Sequence, residues 1–183
     1  MLIKIIFILL GSVMIAAVSR RSLKTPRSHG FYRFFAFEIL LVMFVLNAPV
    51  WFDAPLSPHQ QVSWIFMIAS LILIIHSLDL IFILGLPEGS LPKSPNLPFE
   101  NTTHLVVVGA YRFIRHPMYA SVILLTWGVA MKAPSVRSLC LSVVIVVLLY
   151  VTARVEEREN IARFGEEYRQ YMKKSRMFIP FVF

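Results

Sequence analysis

The segment Arg115-His116-Pro117 has residue types and an order that suit the binding of a charged group. Proline fits the first position of a helix and favours an extended conformation in the residue before it. We therefore expect His116 at the mouth of a helix, beside free backbone N–H groups. Such a mouth attracts anions, a ligand carboxylate among them. Taken alone, the pattern favours a simpler interpretation, in which Arg115 and His116 only anchor a helix at the lipid interface.

A second group of chemical interest is the adjacent pair Glu156-Glu157, which lies shortly after an apolar run. Adjacent carboxylates at a membrane edge are costly unless a positive group lies close to them. A sulfonium or an α-ammonium group of a ligand would serve. The alternative is a solvated helix whose charges pair along one face, with Glu159 and Arg163 at i, i+4.

Membrane helices must position these residues. Hydrophobic residues make up 57% of the chain and charged residues 15%, which excludes an ordinary soluble domain. A membrane span needs roughly 20 apolar residues. The apolar runs predict an all-α integral membrane protein of about five transmembrane helices, at residues 2–18, 34–50, 62–86, 117–133 and 136–153.

These runs organise the 183 residues into a single membrane domain. Residues 1–90 hold three helices, and residues 91–183 hold helices four and five with both charged groups. Residues 132–135 form the short turn that joins the last two runs, which predicts a short helical hairpin. Further on, aromatic and apolar residues recur at helical spacing. They predict a cytosolic amphipathic tail helix with a packing stripe of Phe164, Tyr168, Tyr171 and Met172.

The basic residues indicate the orientation of the helices. Several lysines and arginines follow the first run, and none lies between the second and the third. Because positively charged loops stay in the cytosol, we expect the amino terminus outside and the carboxyl terminus in the cytosol. Both charged groups then lie on the cytosolic side. Loops and anionic lipid head groups also account for the net charge of +8, so we expect no nucleic-acid partner.

Two polar residues within the third run, His76 and Asp79, share one helix face at i, i+3. Polar residues inside a membrane usually face a cavity or a partner. We therefore expect that the two residues bond to each other or border the same site as the charged groups. A proton relay is the alternative.

The two charged groups belong to a longer series of short motifs. The series reads Leu105-Val106, Gly109-Ala110-Tyr111, Arg115-His116-Pro117-Met118-Tyr119, Glu156-Glu157 and Phe164-Gly165-Glu166-Glu167-Tyr168-Arg169-Gln170-Tyr171. In order and spacing it resembles the family of integral membrane methyltransferases that includes isoprenylcysteine carboxyl methyltransferases and phospholipid N-methyltransferases. Each motif is weak alone, whereas the combination is specific. The first three helices resemble that family only in being hydrophobic.

The resemblance implies an enzyme that takes a methyl group from S-adenosylmethionine at the cytosolic face. It implies a cofactor site formed by Thr103, His104, Leu105, Val106, Tyr111, His116, Pro117, Met118, Tyr119 and Glu156. The candidate catalytic residues are Glu157, beside that site, and Arg115 or Arg154 for the substrate's charged group. The implied acceptor is a membrane lipid or a lipidated, prenylated molecule, methylated on a carboxylate or an amine. Such a transfer needs alignment and exclusion of water, and we expect no metal.

The sequence departs from the family pattern at three positions. Isoprenylcysteine enzymes carry an arginine at the position of Thr152, where it holds the substrate carboxylate. Arg154 lies two positions later, about 200° around a helix, and replaces that group only where the helix is irregular. Ser121 stands in place of a glycine, and Asn160 in place of a leucine. The first departure argues against carboxylate methylation.

Two other functions remain open at this point. Sterol reductases that use NADPH also carry an Arg-His-Pro-x-Tyr segment, although they generally have asparagine at the position of Met118. A non-catalytic membrane scaffold is the other alternative, in which both charged groups are interfacial anchors. Cofactor binding distinguishes the methyltransferase, the reductase and the scaffold. The methyltransferase binds S-adenosylmethionine, the reductase binds NADPH, and the scaffold binds neither.

Overall fold

The structure is a computed structural model that describes residues 1–86 and 96–182. It contains six α-helices: α1 (Leu2–Leu23), α2 (His29–Asn47), α3 (Pro58–Leu80), α4 (Pro117–Ala130), α5 (Val136–Phe164) and α6 (Glu166–Lys174). A π-helical turn, Ile81–Gly85, continues α3. The described ranges contain no β-strand, and an isolated β-bridge joins Ile114 to Arg176. The predicted all-α fold is confirmed.

Four helical segments are long and apolar enough to cross a membrane: Leu2–Leu23, His29–Val50, Pro58–Gly85 and Val136–Phe164. They correspond to four of the five predicted spans. The remaining helix, α4, has 14 residues and is therefore about 21 Å long. That is shorter than the ~30 Å hydrocarbon core. The chain is thus a multi-pass membrane protein. Its one short apolar helix, α4, starts directly after Arg115 and His116.

The fifth predicted span differs most from the structure. We expected it to end at residue 153, whereas α5 continues to Phe164. The apolar pattern stops where the helix leaves the lipid, but the backbone remains helical through Glu156 and Glu157. Gly165 then ends α5 with φ of 60°, in the left-handed region that favours glycine. The chain turns there and starts α6.

The helices pack mainly in pairs. Helix α1 packs against α2, α2 against α5, and α3 against α4. Polar side chains also form hydrogen bonds between neighbouring helices. In lipid, packing and hydrogen bonds are what hold membrane helices together. Asn47 Nδ2 donates to Val129 O at 2.8 Å, and Ser70 Oγ donates to Ser121 O at 2.7 Å. The α4–α5 hairpin is therefore held on two sides, by α3 and by α2.

A buried lysine holds the end of the bundle far from the site. Lys132 Nζ lies 3.7 Å from the centroid of the Trp64 ring and 5.1 Å from that of Trp51. It also donates to Gln60 Oε1 at 2.9 Å. This cation–π contact ties the turn between α4 and α5 to the turn between α2 and α3. It supports the predicted hairpin at its closed end.

The carboxyl-terminal segment after α6 folds back onto the residues that enter α4. Arg115 N donates to Arg176 O at 2.7 Å, and Arg176 N donates to Phe113 O at 2.9 Å. His116 N donates to Met177 O at 3.2 Å. These three bonds position the mouth of α4, where Pro117 occupies the first helical turn as predicted.

Candidate functional site

A cavity lies where the start of α4, the end of α5 and helix α6 meet. Most of the predicted cofactor residues line it: Leu105, Val106, Tyr111, His116, Pro117, Met118, Tyr119 and Glu156. Arg115 lines it as well. The cavity also has lining residues that sequence analysis did not predict: Ile81, Glu100, Thr102, Asn160, Phe164, Tyr168 and Tyr171. Phe164, Tyr168 and Tyr171, which were predicted only to pack, therefore also line the cavity.

Four predicted residues lie outside the cavity lining: Thr103, His104, Arg154 and Glu157. Thr103 is exposed and anchors its loop, because its backbone N donates to Gly85 O at 2.9 Å and its Oγ1 donates to Leu86 O at 3.0 Å. The hydroxyl also lies 2.9 Å from His104 Nδ1. These contacts connect the end of the π-helical turn after α3 to the loop that carries Leu105 and Val106.

Glu156 faces the cavity beside an aromatic pair. Tyr119 Oη donates to Glu156 Oε2 at 2.5 Å, and His116 Nδ1 lies 3.8 Å from the same oxygen. The rings of His116 and Tyr119 stack with centroids 5.5 Å apart. Among the described residues, none donates a hydrogen bond to the second oxygen of Glu156. That oxygen is available to a positively charged or hydrogen-bond-donating ligand.

Two buried polar atoms at the cavity have no hydrogen-bond partner in the described part of the chain. They are Tyr111 Oη and His116 Nε2, and both residues are at least nine-tenths buried. Burial, and then the charge of Glu156, raises the pKa of Tyr111 well above its usual value, so the phenol remains a proton donor. Buried polar groups are nearly always paired. These two atoms therefore indicate where a polar ligand binds.

Glu157 lies on the other side of α5 and has protein partners on both oxygens. Arg115 Nε donates to its Oε1 at 2.7 Å, and Arg154 Nη1 lies 3.6 Å from its Oε2. Arg115 is bound further by carbonyls, since its Nη1 donates to Ser175 O at 2.5 Å and Met172 O at 3.3 Å. The pair thus fastens the end of α6 to α5. Half of the Arg154 side chain is exposed.

A buried charge cluster borders the cavity on the α2 side. Glu100 is bound by Arg33, whose Nη1 pairs with its Oε1, and lies 3.3 Å from His29 Nε2. Burial alone would raise the pKa of Glu100; the charge of Arg33 and the bond with His29 outweigh it and lower the pKa to about 2. Leu97 N donates to the same carboxylate at 2.8 Å. Helix α2 therefore holds the loop that carries the cofactor residues.

Glu159 does not pair with Arg163, as the solvated-helix alternative assumed. Glu159 Oε2 lies 2.6 Å from His29 Nδ1, and Glu159 Oε1 accepts from His29 N at 3.1 Å. Arg163 instead lies over the ring of Phe164. A buried histidine is a stronger partner for a carboxylate than an exposed arginine on the same helix, because water screens the exposed pair. The cluster spans α2, the site loop and α5.

The predicted Gly-x-Tyr motif has a steric explanation. Gly109 has φ of 58°, and a Cβ there would lie 2.7 Å from His76 Nε2. His76 Nε2 accepts a hydrogen bond from Ala110 N at 3.3 Å. His76 thus contacts the loop before α4 (residues 96–116, the site loop) but does not line the cavity. The contact directs the following turn so that Tyr111 enters the cavity.

Helix α6 closes the cavity. Tyr171 Oη donates to Tyr111 O at 2.6 Å, and Tyr168 is 2% exposed. Burial raises the pKa values of Tyr168 and Tyr171, so both hydroxyls stay neutral. The cavity is partly open and has a volume of about 80 Å³, whereas small-molecule sites usually measure roughly 300–1,000 Å³. A nucleotide-sized ligand therefore requires these walls to move apart.

An apolar cleft lies behind the cavity, between α3, α4, α5 and the carboxyl-terminal segment. It has a volume of about 910 Å³ and its lining includes Leu73, Ile123, Trp127, Val147, Tyr150 and Phe178. Leu73, Val147 and Tyr150 belong to helices long enough to cross a membrane, and Ile123 and Trp127 belong to the short apolar helix α4. The cleft therefore suits an apolar molecule that arrives from the bilayer. Within the described ranges, no group of three His, Cys, Asp or Glu residues is placed to hold a metal ion.

Comparisons with known proteins agree with the resemblance seen in the sequence. The model of the phospholipid methyltransferase family matches residues 94–167. A methanethiol S-methyltransferase of Pseudomonas deceptionensis is 24% identical over 98% of this chain and 72% of its own length. Similar proteins of that name are methanethiol S-methyltransferase 1 of Bradyrhizobium diazoefficiens, 37% identical over 38% of this chain, and the Crocosphaera subtropica enzyme, 31% identical over 39%.

The last two alignments are partial, covering 24% and 28% of those relatives' own lengths. No solved structure matches the chain significantly. The matched region nevertheless contains most of the cavity, from the site loop through both glutamates of α5. The chain is therefore similar to the phospholipid methyltransferase family through residues 94–167, and to proteins named methanethiol S-methyltransferases.

Proposed function

We propose that this protein is an S-adenosylmethionine-dependent methyltransferase that methylates an apolar acceptor at the cytosolic face of a membrane. The observation that supports it best is the pair of buried, unpartnered polar atoms, Tyr111 Oη and His116 Nε2, beside Glu156. A ligand that carries both a positive charge and hydrogen-bonding groups satisfies Glu156 and Tyr111 Oη, and leaves His116 Nε2 for the acceptor. The cofactor has that combination, with its sulfonium and its α-ammonium group.

The residues at the cavity divide the task of binding that cofactor. Glu156 opposes its positive charge, and Tyr111 Oη donates to one of its polar groups. Leu105, Val106 and Met118 supply apolar contacts. When bound, S-adenosylmethionine supplies a methyl group on a sulfonium, and transfer to the acceptor leaves S-adenosylhomocysteine.

The charges at the site argue against a carboxylate acceptor. Among the described residues, Arg115 is the one arginine or lysine that lines the cavity, and Glu157 and two carbonyls already bind it. Thr152, where related enzymes have arginine, is fully buried and donates to Leu148 O at 2.7 Å. Arg154 does not line the cavity, and its Nη1 lies 3.6 Å from Glu157 Oε2. A carboxylate would therefore enter without a cation to receive it, at a cost of several kcal/mol.

A thiol is the acceptor that fits best. The similar proteins from three organisms are named methanethiol S-methyltransferases, and a small thiol is apolar and needs no cation. It must lose its proton before or during attack. His116 lines the cavity, its Nε2 has no hydrogen bond to a described residue, and we assign its imidazole the role of accepting that proton. Glu156 and Glu157, 3.8 and 3.7 Å from the two ring nitrogens, compensate the charge that the ring gains.

A lipid-like or prenylated acceptor is the second candidate. The apolar cleft favours it, because about 910 Å³ is far more space than a one-carbon thiol occupies. A long apolar chain in the cleft would present its head group to the cavity beside His116. Such an acceptor would carry an amine or a thiol rather than a carboxylate, for the reason given above.

We place the cavity on the cytosolic side of the membrane. Basic residues stand at its end of the bundle, in the last turns of α1 and α6: Arg20, Arg21, Lys173 and Lys174. Positively charged segments remain in the cytosol during insertion. The cofactor, a charged metabolite, then enters from water, while the acceptor enters from lipid.

Titration calorimetry tests the proposal on the full chain purified in detergent. S-adenosylhomocysteine is expected to bind saturably to the wild type and much more weakly to Glu156→Gln. Glu167→Gln, an exposed residue on α6, is the matched control and should bind like the wild type. Binding of NADPH instead would favour the reductase, and binding of neither nucleotide by folded protein would leave the scaffold.

A second assay identifies the acceptor. Protein supplied with S-adenosylmethionine and methanethiol should release dimethyl sulfide, measured in the gas above the sample. His116→Gln should bind S-adenosylhomocysteine yet transfer methyl slowly at neutral pH, with recovery at higher pH as the thiol ionises by itself. Turnover of a phospholipid amine but of no thiol would overturn the thiol acceptor.

A further inference from the structure

The polar cavity and the apolar cleft share a thin wall. Arg115 and His116 line the cavity, whereas their neighbour Ile114 lines the cleft. Across this wall the rings of His116 and Phe178 contact each other with centroids 6.1 Å apart. Phe178 also lines the cleft and is 7% exposed. The phenyl ring of Phe178 therefore lies between the apolar cleft and His116, the proposed proton acceptor.

The position of this ring is well determined by its backbone. The residues just before it are bound to the mouth of α4, through Arg115 N to Arg176 O at 2.7 Å and His116 N to Met177 O at 3.2 Å. The guanidinium of Arg115 also holds Ser175 O. Residues 179–182 are exposed. Phe178 is thus the last firmly packed residue of the segment, and its ring lies against His116.

We propose that Phe178 is a specificity-determining residue that limits the length of the acceptor. This inference rests on the proposed function. An apolar acceptor in the cleft must pass the ring to bring its nucleophile beside His116. With the ring in place, only a small acceptor fits between cleft and cavity, so a short thiol reacts and a long one is held back.

Removal of the ring should join the two spaces. In Phe178→Ala, longer alkanethiols gain access to the reacting position, while cofactor contacts in the cavity remain. A change of one methylene in an apolar site shifts selectivity by roughly 10-fold or more. The ratio of kcat/KM for hexanethiol to that for methanethiol should therefore rise at least about 10-fold. Phe178→Leu, which keeps apolar packing with a smaller side chain, should show an intermediate rise.

Phe181→Ala is the matched control. It removes the same ring from the same segment, but Phe181 is 81% exposed and does not line the cleft. Its selectivity ratio should equal that of the wild type. The full chain is assayed in detergent with alkanethiols of one to eight carbons, and S-adenosylhomocysteine affinity is measured in parallel for every variant.

The outcomes separate this inference from the proposed function. A raised ratio in both Phe178 variants, with unchanged S-adenosylhomocysteine affinity and a normal control, supports it. Unchanged ratios in folded Phe178→Leu, or a wild type that already accepts hexanethiol as well as methanethiol, overturn the limiting role while methyl transfer stands. If the wild type binds S-adenosylhomocysteine but methylates no thiol, the acceptor assignment fails, and this inference fails with it.

Discussion

Two groups of charged and polar residues meet at this site, and they differ in how completely the protein satisfies them. The first, which we call the cavity group, consists of Tyr111, His116 and Glu156, each with an atom that no described residue bonds. The anchoring group is composed of residues whose charges are met by the protein: His29, Arg33, Glu100, Arg115, Glu157 and Glu159. The first group has capacity left for a ligand, and the second does not.

The difference is sharpest between two neighbours in the chain. Glu156 and Glu157 are chemically identical and adjacent on α5, yet a helix places successive residues about 100° apart. Glu156 therefore meets Tyr119 and the cavity, while Glu157 meets Arg115 and the carboxyl-terminal segment. Residue type alone does not determine whether a carboxylate binds ligand or holds the fold. Its remaining hydrogen-bonding capacity does.

The largest expected effect concerns the anchoring group and stability. Arg33→Gln leaves the buried Glu100 without its main cation, and loss of one partner from a buried ion pair costs about 3–5 kcal/mol. We expect the free energy of unfolding in detergent, measured by denaturant titration, to fall by that amount. The exposed Arg20 is the control: Arg20→Gln should change stability by less than about 0.5 kcal/mol. Equal effects of the two changes would contradict an anchoring role.

The next effect separates the two neighbouring glutamates. Hydrogen bonds to charged groups contribute about 1.5–3 kcal/mol, so Glu156→Gln should weaken S-adenosylhomocysteine binding roughly 10- to 100-fold with little loss of stability. Glu157→Gln should do the opposite, lowering the thermal midpoint while the folded protein binds nearly as the wild type does. Calorimetry and thermal unfolding on both variants decide the matter. Similar binding losses in both would remove the distinction between the groups.

Much of this arrangement was predictable from sequence because it depends on neighbours in the chain. Hydropathy located the helices, and the proline after His116 located the start of α4. The motif residues from Leu105 to Tyr119 reach the cavity because one short stretch of chain carries them. The end of α5 was missed, since hydropathy detects only the part of a helix that lies in lipid.

The residues that were not predicted are those brought in by long-range packing. Glu100 lies 67 residues from Arg33, and Glu159 lies 130 residues from His29. A single sequence has no signal for such pairs, because neither burial nor long-range contact is visible in it. Tyr168 and Tyr171 were assigned to packing because helical spacing reveals which face is buried but not what it is buried against.

A smaller effect concerns pH and the anchoring group. The pKa of Glu100 is about 2 in the folded protein and 4.5 by the ordinary value, so its ionised form stabilises the fold. This contribution is complete above pH 4.5 and is lost as the pH falls through 4.5 towards 2. Between pH 5 and 3 it declines by roughly 2 kcal/mol. The stability difference between wild type and Glu100→Gln should shrink over that interval; a difference that stays constant would contradict the charged pairing.

The smallest effect tests the unpartnered hydroxyl of the cavity group. Tyr111→Phe removes a buried donor that no described residue satisfies, so the protein alone should lose no stability. One hydrogen bond to a ligand is worth about 0.5–1.5 kcal/mol, so S-adenosylhomocysteine affinity should fall up to about 10-fold. Tyr171→Phe is the matched control, because its hydroxyl already donates to Tyr111 O. It should lose about 1 kcal/mol of stability instead. If Tyr111→Phe loses stability and keeps its affinity, Tyr111 belongs to the anchoring group.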